Sequence, residues 1–289
     1  MRAISANQIR LVLFVIWLTL FILLNADPLL MLAEYGMFSL LGILGAIFAN
    51  STGAGGGVIF VPFFSQLGFT NETIVATSFA IQCFGMTAGA ISWYVFRRNE
   101  KRDDQEWSEL GRVLLYTVPA SVLGIVLVQV SQIQSPNSLH ATFGGFSVFL
   151  ALAIFASIPM LRNASFVSQL TRLDLVALPL VALIGGAITA WLSVGVGELV
   201  AIYLIFRRFN VSFAIACAVI LSAFSVWGGV QYHLFETQAI YWPVLAFAGL
   251  GAVIGGSIAR YLVLWFSVTK LKIFFAFWVL ILGVASIPL

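Results

Sequence analysis

The chain has 289 residues, of which 61% are hydrophobic and 9% charged, with a mean hydropathy of +1.06. This apolar share exceeds that of a soluble domain, so the composition predicts a protein that crosses the lipid bilayer several times. A net charge of +3 is too small to indicate a nucleic-acid partner. The two cysteines, Cys83 and Cys217, lie inside apolar segments, which gives no disulfide framework and no metal-ligand spacing. We therefore expect no metal and no cofactor.

Seven apolar runs have roughly the length that a membrane crossing needs. In chain order they are residues 11–25, 72–96, 112–130, 139–161, 211–230, 240–259 and 271–288. The first run resembles the apolar part of a signal peptide, but no small-residue cleavage site follows it. We expect it to be retained as a helix.

Two further apolar runs, 36–67 and 175–206, are too long for one crossing. Each holds 32 residues, and as a single helix it would reach ~48 Å across a hydrocarbon core of ~30 Å. Each also contains a glycine-rich break, at 53–57 and at 195–197. We predict that each run forms two half-length helices, because unwound backbone in a membrane is tolerated where it is buried or lines a polar cavity.

Lysine and arginine divide the connecting loops into two groups. The basic clusters are Arg2 with Arg10, Arg97 with Arg98, Lys101 and Arg102, Arg162 with Arg172, Arg207 with Arg208, and Arg260 with Lys270 and Lys272. The loops 25–35, 68–71, 131–138 and 233–238 contain none. Because basic loops stay in the cytoplasm, both long runs begin and end on one side and are predicted to be re-entrant hairpins entering from opposite faces. The N-terminus is then cytoplasmic and the C-terminus external.

The same order of elements occurs twice, a hairpin followed by three crossings. Because three is odd, the second copy is inverted, with a pseudo-twofold axis in the membrane plane. The predicted fold is an all-α polytopic membrane protein with an inverted-topology repeat, about seven full crossings and two re-entrant broken-helix hairpins. Its parts are an N-terminal helix and external loop (1–35), a first repeat (36–174) and a second, inverted repeat (175–289). The two copies also share a weak residue echo, a similarity between Ser51-x-Gly53-x-Gly55 in the first and Ser193-x-Gly195-x-Gly197 in the second.

The paired breaks predict an anion site near the bilayer midplane. The second half-helices begin near Gly56 and Glu198, where free N–H groups and the positive end of the helix dipole suit a small oxyanion. The predicted substrate-binding residues are Ser51, Thr52, Gly53, Gly55, Gly56, Gly57, Gln82, Ser193, Gly195, Gly197, Ser222 and Ser225. The alternative is that the glycines permit close helix packing and that the polar side chains link helices.

Glu198 is the one carboxylate predicted at membrane depth. An ionisable residue there is a functional candidate by default. The half-helix dipole favours its charged form, whereas burial and a neighbouring anion favour the neutral acid, so it could couple protons to anion occupancy. The alternative is that it caps its own helix.

These motifs resemble the TauE/SafE family of sulfite and organosulfonate exporters over residues 36–288. The resemblance lies in the sequence from Gly53 to Pro62, in Ala76-Thr77-Ser78, and in a second copy from Gly185-Gly186 to Ser193-Val194-Gly195-Val196-Gly197. It implies proton-driven export of small sulfur-containing anions through a bacterial inner membrane, by a transporter and not an enzyme. Glu198 and Tyr203 depart from the family pattern, which leaves open an anion other than sulfite.

Two other functions stay open on the sequence. A passive anion channel would use the same residues. An intramembrane enzyme is less favoured, since it needs clustered acids, histidines or metal ligands at depth and only Glu198 qualifies. The expected partners are the sulfur anion, protons and lipid, with a homodimer left open.

Overall fold

The structure is a computed structural model. It describes residues 26–133, 138–157, 169–266 and 268–286, together with seven residues between 15 and 23. Most of the predicted first crossing, 11–25, lies outside the described residues, as do Arg2, Arg10, Arg162, part of the loop 131–138 and the last three residues.

From residue 28 on, the described residues form twelve α-helices, and the described part of the chain has no β-strand, which confirms the all-helical prediction. In chain order the helices are α1 (Pro28–Tyr35), α2 (Phe38–Thr52), α3 (Gly57–Gln66), α4 (Asn71–Glu100), α5 (Gln105–Ser108), α6 (Leu110–Val130), α7 (Leu139–Ser157), α8 (Arg172–Leu192), α9 (Val196–Phe206), α10 (Val211–Phe235), α11 (Trp242–Trp265) and α12 (Val268–Ser286).

Within the described part of the chain, five helical segments are long and apolar enough to cross a membrane. They are α4, α5 with α6, α8, α10 and α11, and a sixth is added if the bent pair Trp17–Leu23 and Pro28–Tyr35 is one span. Helices α7 and α12, of 19 residues each, lie in two further predicted crossings. A polytopic protein of five or six such helices is supported, which is fewer than the seven crossings predicted.

Both long runs are broken, the first at its predicted glycines and the second at 193–195, two residues before the predicted 195–197. Helix α2 ends at Gly53, whose φ of 78° suits glycine, and α8 ends at Ser193, with φ of 58°. Helices α2, α3 and α9 have 15, 10 and 11 residues, as expected of partial spans. The half-length prediction is wrong for α8, which has 21 residues. A capping box of Thr171 and Asp174 starts this helix inside the preceding loop and lengthens it.

Backbone landmarks recur at a constant offset of 140 residues. The left-handed residues Gly53 and Gly68 have counterparts in Ser193 and Arg208. The side-chain caps Thr70 and Asn210, which begin α4 and α10, keep the same offset. The register is therefore 140 and not the 142 of the residue echo, so Gln82 corresponds to Ser222, Val58 to Glu198, and Pro62 to Ile202 instead of Tyr203.

The helices also pack in matching pairs. Helix α2 packs on α11 as α6 packs on α8, α4 crosses α10, and α7 packs on α12. Glycines bring these backbones together. A Cβ on Gly251 would collide with the carbonyl oxygen of Ser39, and one on Gly186 with that of Ser121. Small residues of this kind allow close helix approach in membranes.

Contacts divide the loops between two ends of the molecule. At one end the hydroxyls of Tyr35 and Tyr241 are 2.9 Å apart, and the ring of Phe69 lies 5.0 Å from that of Tyr241. At the other end Asn210 N donates to Glu106. The loops at the first end are those that contain no lysine or arginine, and the loops at the second end are those with basic clusters. The 30-residue α4 connects the two ends.

Candidate functional site

The two chain breaks cross each other in direct contact. A Cβ on Gly57 would lie 2.5 Å from the carbonyl oxygen of Ser193, and a Cβ on Gly197 would collide with that of Gly53. These contacts are equivalent at the 140-residue offset. The glycines therefore provide close packing of one break against the other, which was the alternative explanation of these residues.

The carboxylate of Glu198 lies at this crossing and joins the two breaks. Its Oε1 accepts a hydrogen bond from Gly55 N at 2.7 Å, and its Oε2 accepts one from Gly195 N at 2.8 Å. The side chain is buried, with the residue 3% exposed. The bond to Gly195 is the helix cap considered in the sequence. The bond to Gly55 goes beyond it, because it reaches the other break.

Gln82 on α4 forms a second link between the breaks. Its Oε1 accepts from Gly56 N at 2.8 Å, while its Nε2 donates to the hydroxyl and the carbonyl oxygen of Ser193 at 2.7 and 2.9 Å. The Ser193 hydroxyl also donates to Ser78 Oγ at 2.9 Å. Three of the predicted residues, Gly56, Gln82 and Ser193, thus belong to one buried network.

Ser222 occupies the position on α10 that Gln82 occupies on α4. It is 2% exposed, and its hydroxyl has no hydrogen-bond partner. A Cβ on Gly197 would lie 2.5 Å from this oxygen, so the hydroxyl faces the break one residue before Glu198. An unpartnered buried hydroxyl calls for an explanation, since nearly all such groups are satisfied in native structures.

The other predicted side chains, those of Ser51, Thr52 and Ser225, do not bond to Glu198, Gln82 or Ser193. Thr52 bonds the carbonyl of Phe48 and accepts from Ala54 N, so it caps the end of α2. Ser51 donates to the carbonyl of Ala259 on α11. Ser225 pairs with Ser121 on α6 at 2.7 Å and links two helices.

Sequence reasoning missed two polar residues near the breaks. Thr189 accepts from Val196 N at 2.9 Å and donates to the carbonyl of Gly185, which caps the start of α9 from within α8. Asn50 is fully buried and donates to the carbonyl oxygens of Ala46 and Gly85. Hydroxyl and amide residues next to a glycine break were the available signal.

The charged groups closest to Glu198 in the sequence do not reach the crossing. They bond one another at the ends of the second long run, 175–206. Asp174, which is buried, pairs with Arg207 Nε at 2.6 Å and accepts from the Tyr203 hydroxyl at 2.7 Å. Tyr203, which the 140-residue offset does not pair with Pro62, thus bonds the acid at the start of α8. Among the described residues no ion pair includes Glu198, and no group of three acids, histidines or cysteines could hold a metal ion.

A cavity lies beside each break, and the two share no lining residue. A cavity of about 570 Å³ reaches Ala190 and Trp191, just before the second break, and is also lined by Asn71 and Thr237. A cavity of about 370 Å³ reaches Ser51 and Thr52, just before the first break, and has Lys270 in its wall.

Comparison with known proteins gives one informative result. The family described as Sulfite exporter TauE/SafE matches residues 38–286, which is nearly the whole chain. No curated protein and no solved structure matches. The matched region contains both breaks, both cavities and every helix from α2 to α12, in agreement with the resemblance of the glycine motifs. This apolar, all-helical chain is an integral membrane protein of the transporter type and belongs to the TauE/SafE sulfite exporter family.

Proposed function

We propose that this protein is a secondary transporter that exports sulfite or a small organosulfonate from the cytoplasm, with the anion bound where the two breaks cross. One observation carries the proposal: backbone N–H groups from both breaks already converge on one buried acidic side chain, that of Glu198. Half-helix termini are suited to oxyanions because their free N–H groups and dipoles point at the ligand.

The proposed ligands are the groups that face the crossing. They are the backbone N–H groups of Gly55, Gly56 and Gly195 and the side chains of Gln82, Ser193 and Ser222. No lysine or arginine of the described chain bonds to them, so the anion is held by dipoles alone. Neutral donors of this kind bind weakly enough for release, which a transporter requires.

We further propose the inverted repeat as the framework of the site, with units 36–174 and 175–289 following an N-terminal segment 1–35. The constant 140-residue offset and the matched helix pairs support it. The contacts at the two molecular ends support re-entrant hairpins from opposite faces, with a cytoplasmic N-terminus and an external C-terminus. The proposed location is the bacterial inner membrane.

The two cavities support a carrier with access from alternate sides. One lies beside the second break at the end that carries the non-basic loops, and the other lies beside the first break near Lys270. Neither cavity is lined by Glu198. A passive channel would require a continuous path through the crossing.

Flux measurements in proteoliposomes test the transport function. Sulfite, thiosulfate, taurine, sulfoacetate and sulfate are loaded in turn, and efflux is followed with and without a pH gradient. We expect saturable efflux of sulfite or a sulfonate that responds to the gradient. Non-saturating flux that ignores the gradient would identify a channel, and the absence of flux for every sulfur anion would contradict the proposal.

We propose that Glu198 couples proton movement to export. The elements packed around it present Ser193, Thr189, Gln82 and Ser222, none of which titrates near neutral pH. Glu198→Gln keeps the shape of the side chain but cannot take up or release a proton. We expect this variant to retain anion exchange and to lose the stimulation of net efflux by a pH gradient. Unchanged stimulation would leave Glu198 as a structural cap.

Cysteine labelling tests the orientation of the hairpins. Gly68 and Arg208 are an exposed, equivalent pair, and a Cβ on Gly68 meets nothing within 4 Å. In a background with Cys83 and Cys217 replaced by Ala, we expect Gly68→Cys to react from outside and Arg208→Cys only after permeabilisation. Labelling of both from one side would refute the inverted hairpins.

A further inference from the structure

The two oxygens of the Glu198 carboxylate are bonded symmetrically at the crossing. Gly55 and Gly195, which donate to them at 2.7 and 2.8 Å, are equivalent residues at the 140-residue offset. The carboxylate belongs to one half of the chain, yet it is shared equally between both breaks. This is the position that a free oxyanion would take between two inverted half-helices.

No ion pair among the described residues compensates the burial of this acid. The residue is 3% exposed, and no arginine or lysine of the described chain pairs with it. A buried charge is costly unless it is well bonded. Its backbone donors are the same N–H groups that the proposed site offers to a substrate, so the carboxylate and the substrate compete for them.

One donor next to Gly197, the residue before Glu198, remains unused. The Ser222 hydroxyl is buried, has no partner and faces the chain one residue before Glu198. A carboxylate has two oxygens and uses the two N–H groups. A sulfite or sulfonate has three oxygens, which matches the two N–H groups together with this hydroxyl.

We propose that the Glu198 carboxylate is a tethered substitute for the transported anion, and that a three-oxygen sulfur anion displaces it and adds a bond to Ser222. This inference rests on the proposed function, because it takes the crossing as the substrate site. The structure then represents the substrate-free carrier, with its site closed by its own side chain. Binding of substrate and bonding of Glu198 to Gly55 and Gly195 exclude one another.

Deleting the side chain tests the competition. In purified full-length protein, binding of acetate, sulfite and methanesulfonate is measured by calorimetry and thermal shift for wild type, Glu198→Ala and Glu198→Gln. Acetate reproduces the missing carboxylate, and methanesulfonate keeps one charge at every pH used. Glu236→Ala, which removes an exposed acid at the end of α10, is the matched control.

We expect Glu198→Ala to bind acetate, which the wild type does not, and to bind methanesulfonate at least about tenfold more tightly than wild type. Glu198→Gln, whose amide has one acceptor oxygen in place of two, should show a smaller gain of the same sign. Glu236→Ala should match the wild type. In the Glu198→Ala background, Ser222→Ala should weaken methanesulfonate several-fold and leave acetate unchanged.

The outcomes separate the two proposals. In one outcome, wild type binds sulfite, and both Glu198 variants bind all three anions no more tightly than wild type does. This refutes the role of Glu198 as a substitute for the anion and leaves the proposed substrate site in place. If Glu198→Ala binds acetate but no protein binds a sulfur anion, the substitute stands and the proposed substrate fails. If Glu198→Ala does not fold without ligand, its recovery in acetate supports the substitute, and unchanged affinity in Glu198→Gln overturns it.

Discussion

The two chain breaks each begin with a left-handed residue, Gly53 or Ser193, but they differ in the backbone that follows and in their side chains. The first, 53–57, contains four glycines and no charge, and its equivalent of Glu198 is Val58. The second has Ser193, Val194 and Val196 at three of the corresponding positions and is followed by Glu198. The glycines of the first break leave space for the second, whose side chains and carboxylate serve both.

The helices that face the breaks differ in a complementary way. Gln82 on α4 is fully bonded to both breaks, whereas its counterpart Ser222 on α10 has no partner. The amide completes the structure of the crossing, and the short hydroxyl leaves a donor free. Of these two equivalent positions, one holds the crossing together and the other supplies the free donor of the proposed site.

The largest expected effect is at the closest backbone contact between the two breaks, that of Gly197 with Gly53. Gly197→Ala places a methyl group against the carbonyl oxygen of Gly53, and overpacking of this kind costs ~1–3 kcal/mol or more where backbone must move. We expect loss of transport and a large fall in the melting temperature. Gly111→Ala, whose Cβ meets nothing within 4 Å, is the control and should behave as wild type. A stable Gly197→Ala would show that the breaks can separate.

The ends of the two hairpins offer the next contrast. The ends of the first are joined by aromatic rings, with the ring centroids of Phe38 and Phe64 6.3 Å apart. The ends of the second are joined by the ion pair of the buried Asp174 with Arg207. Asp174→Asn should destabilise the protein by about 2–3 kcal/mol, because it leaves Arg207 without its charge partner. Asp104→Asn, which removes the exposed pair with Lys101, should cost under ~1 kcal/mol. Thermal unfolding in detergent measures both, and equal losses would contradict a structural role for Asp174.

Replacing Gln82 and Ser222 should separate stability from binding. Gln82→Met leaves Gly56 N without an acceptor, and an unsatisfied buried donor costs about 1–3 kcal/mol. Ser222→Ala removes a hydroxyl that has no partner, so stability should stay within ~0.5 kcal/mol while sulfite affinity falls. Thermal unfolding and calorimetry distinguish the two effects. A stability loss in Ser222→Ala as large as that in Gln82→Met would remove the contrast.

The smallest expected effect lies at the cavity beside the first break. Lys270→Gln removes an exposed cation from its wall. We expect about a twofold rise in the KM for sulfite presented on that side, diminishing at high salt because surface charges are screened. Arg98→Gln, an exposed cation outside the cavity, should leave KM unchanged. Equal effects from both would assign the attraction to the general charge of that surface.

Local sequence signals predicted the elements well and the site only in part. Apolar length and the positions of glycine located the helices and both breaks, because chain geometry and backbone freedom act within a few residues. The length of α8 was missed, since the capping box of Thr171 and Asp174 extends it into a polar loop. Gln82, Ser193 and Glu198 were identified as candidates, but Thr189 and Asn50 were not, as a polar residue within a helix does not reveal which backbone group it bonds.

The sequence by itself determined that the protein is a helical membrane transporter with two broken helices. It also placed one carboxylate beside a break. Composition, hydrophobic periodicity and the backbone freedom of glycine act over a few residues, so the sequence alone reveals their effects. Only the tertiary structure decided that the breaks cross and that the register between the halves is 140 residues. It alone showed that Glu198 bonds Gly55 across 143 positions in the chain. Such a contact depends on how the first break meets the start of α9, and that is set by the packing of helices far apart in the sequence.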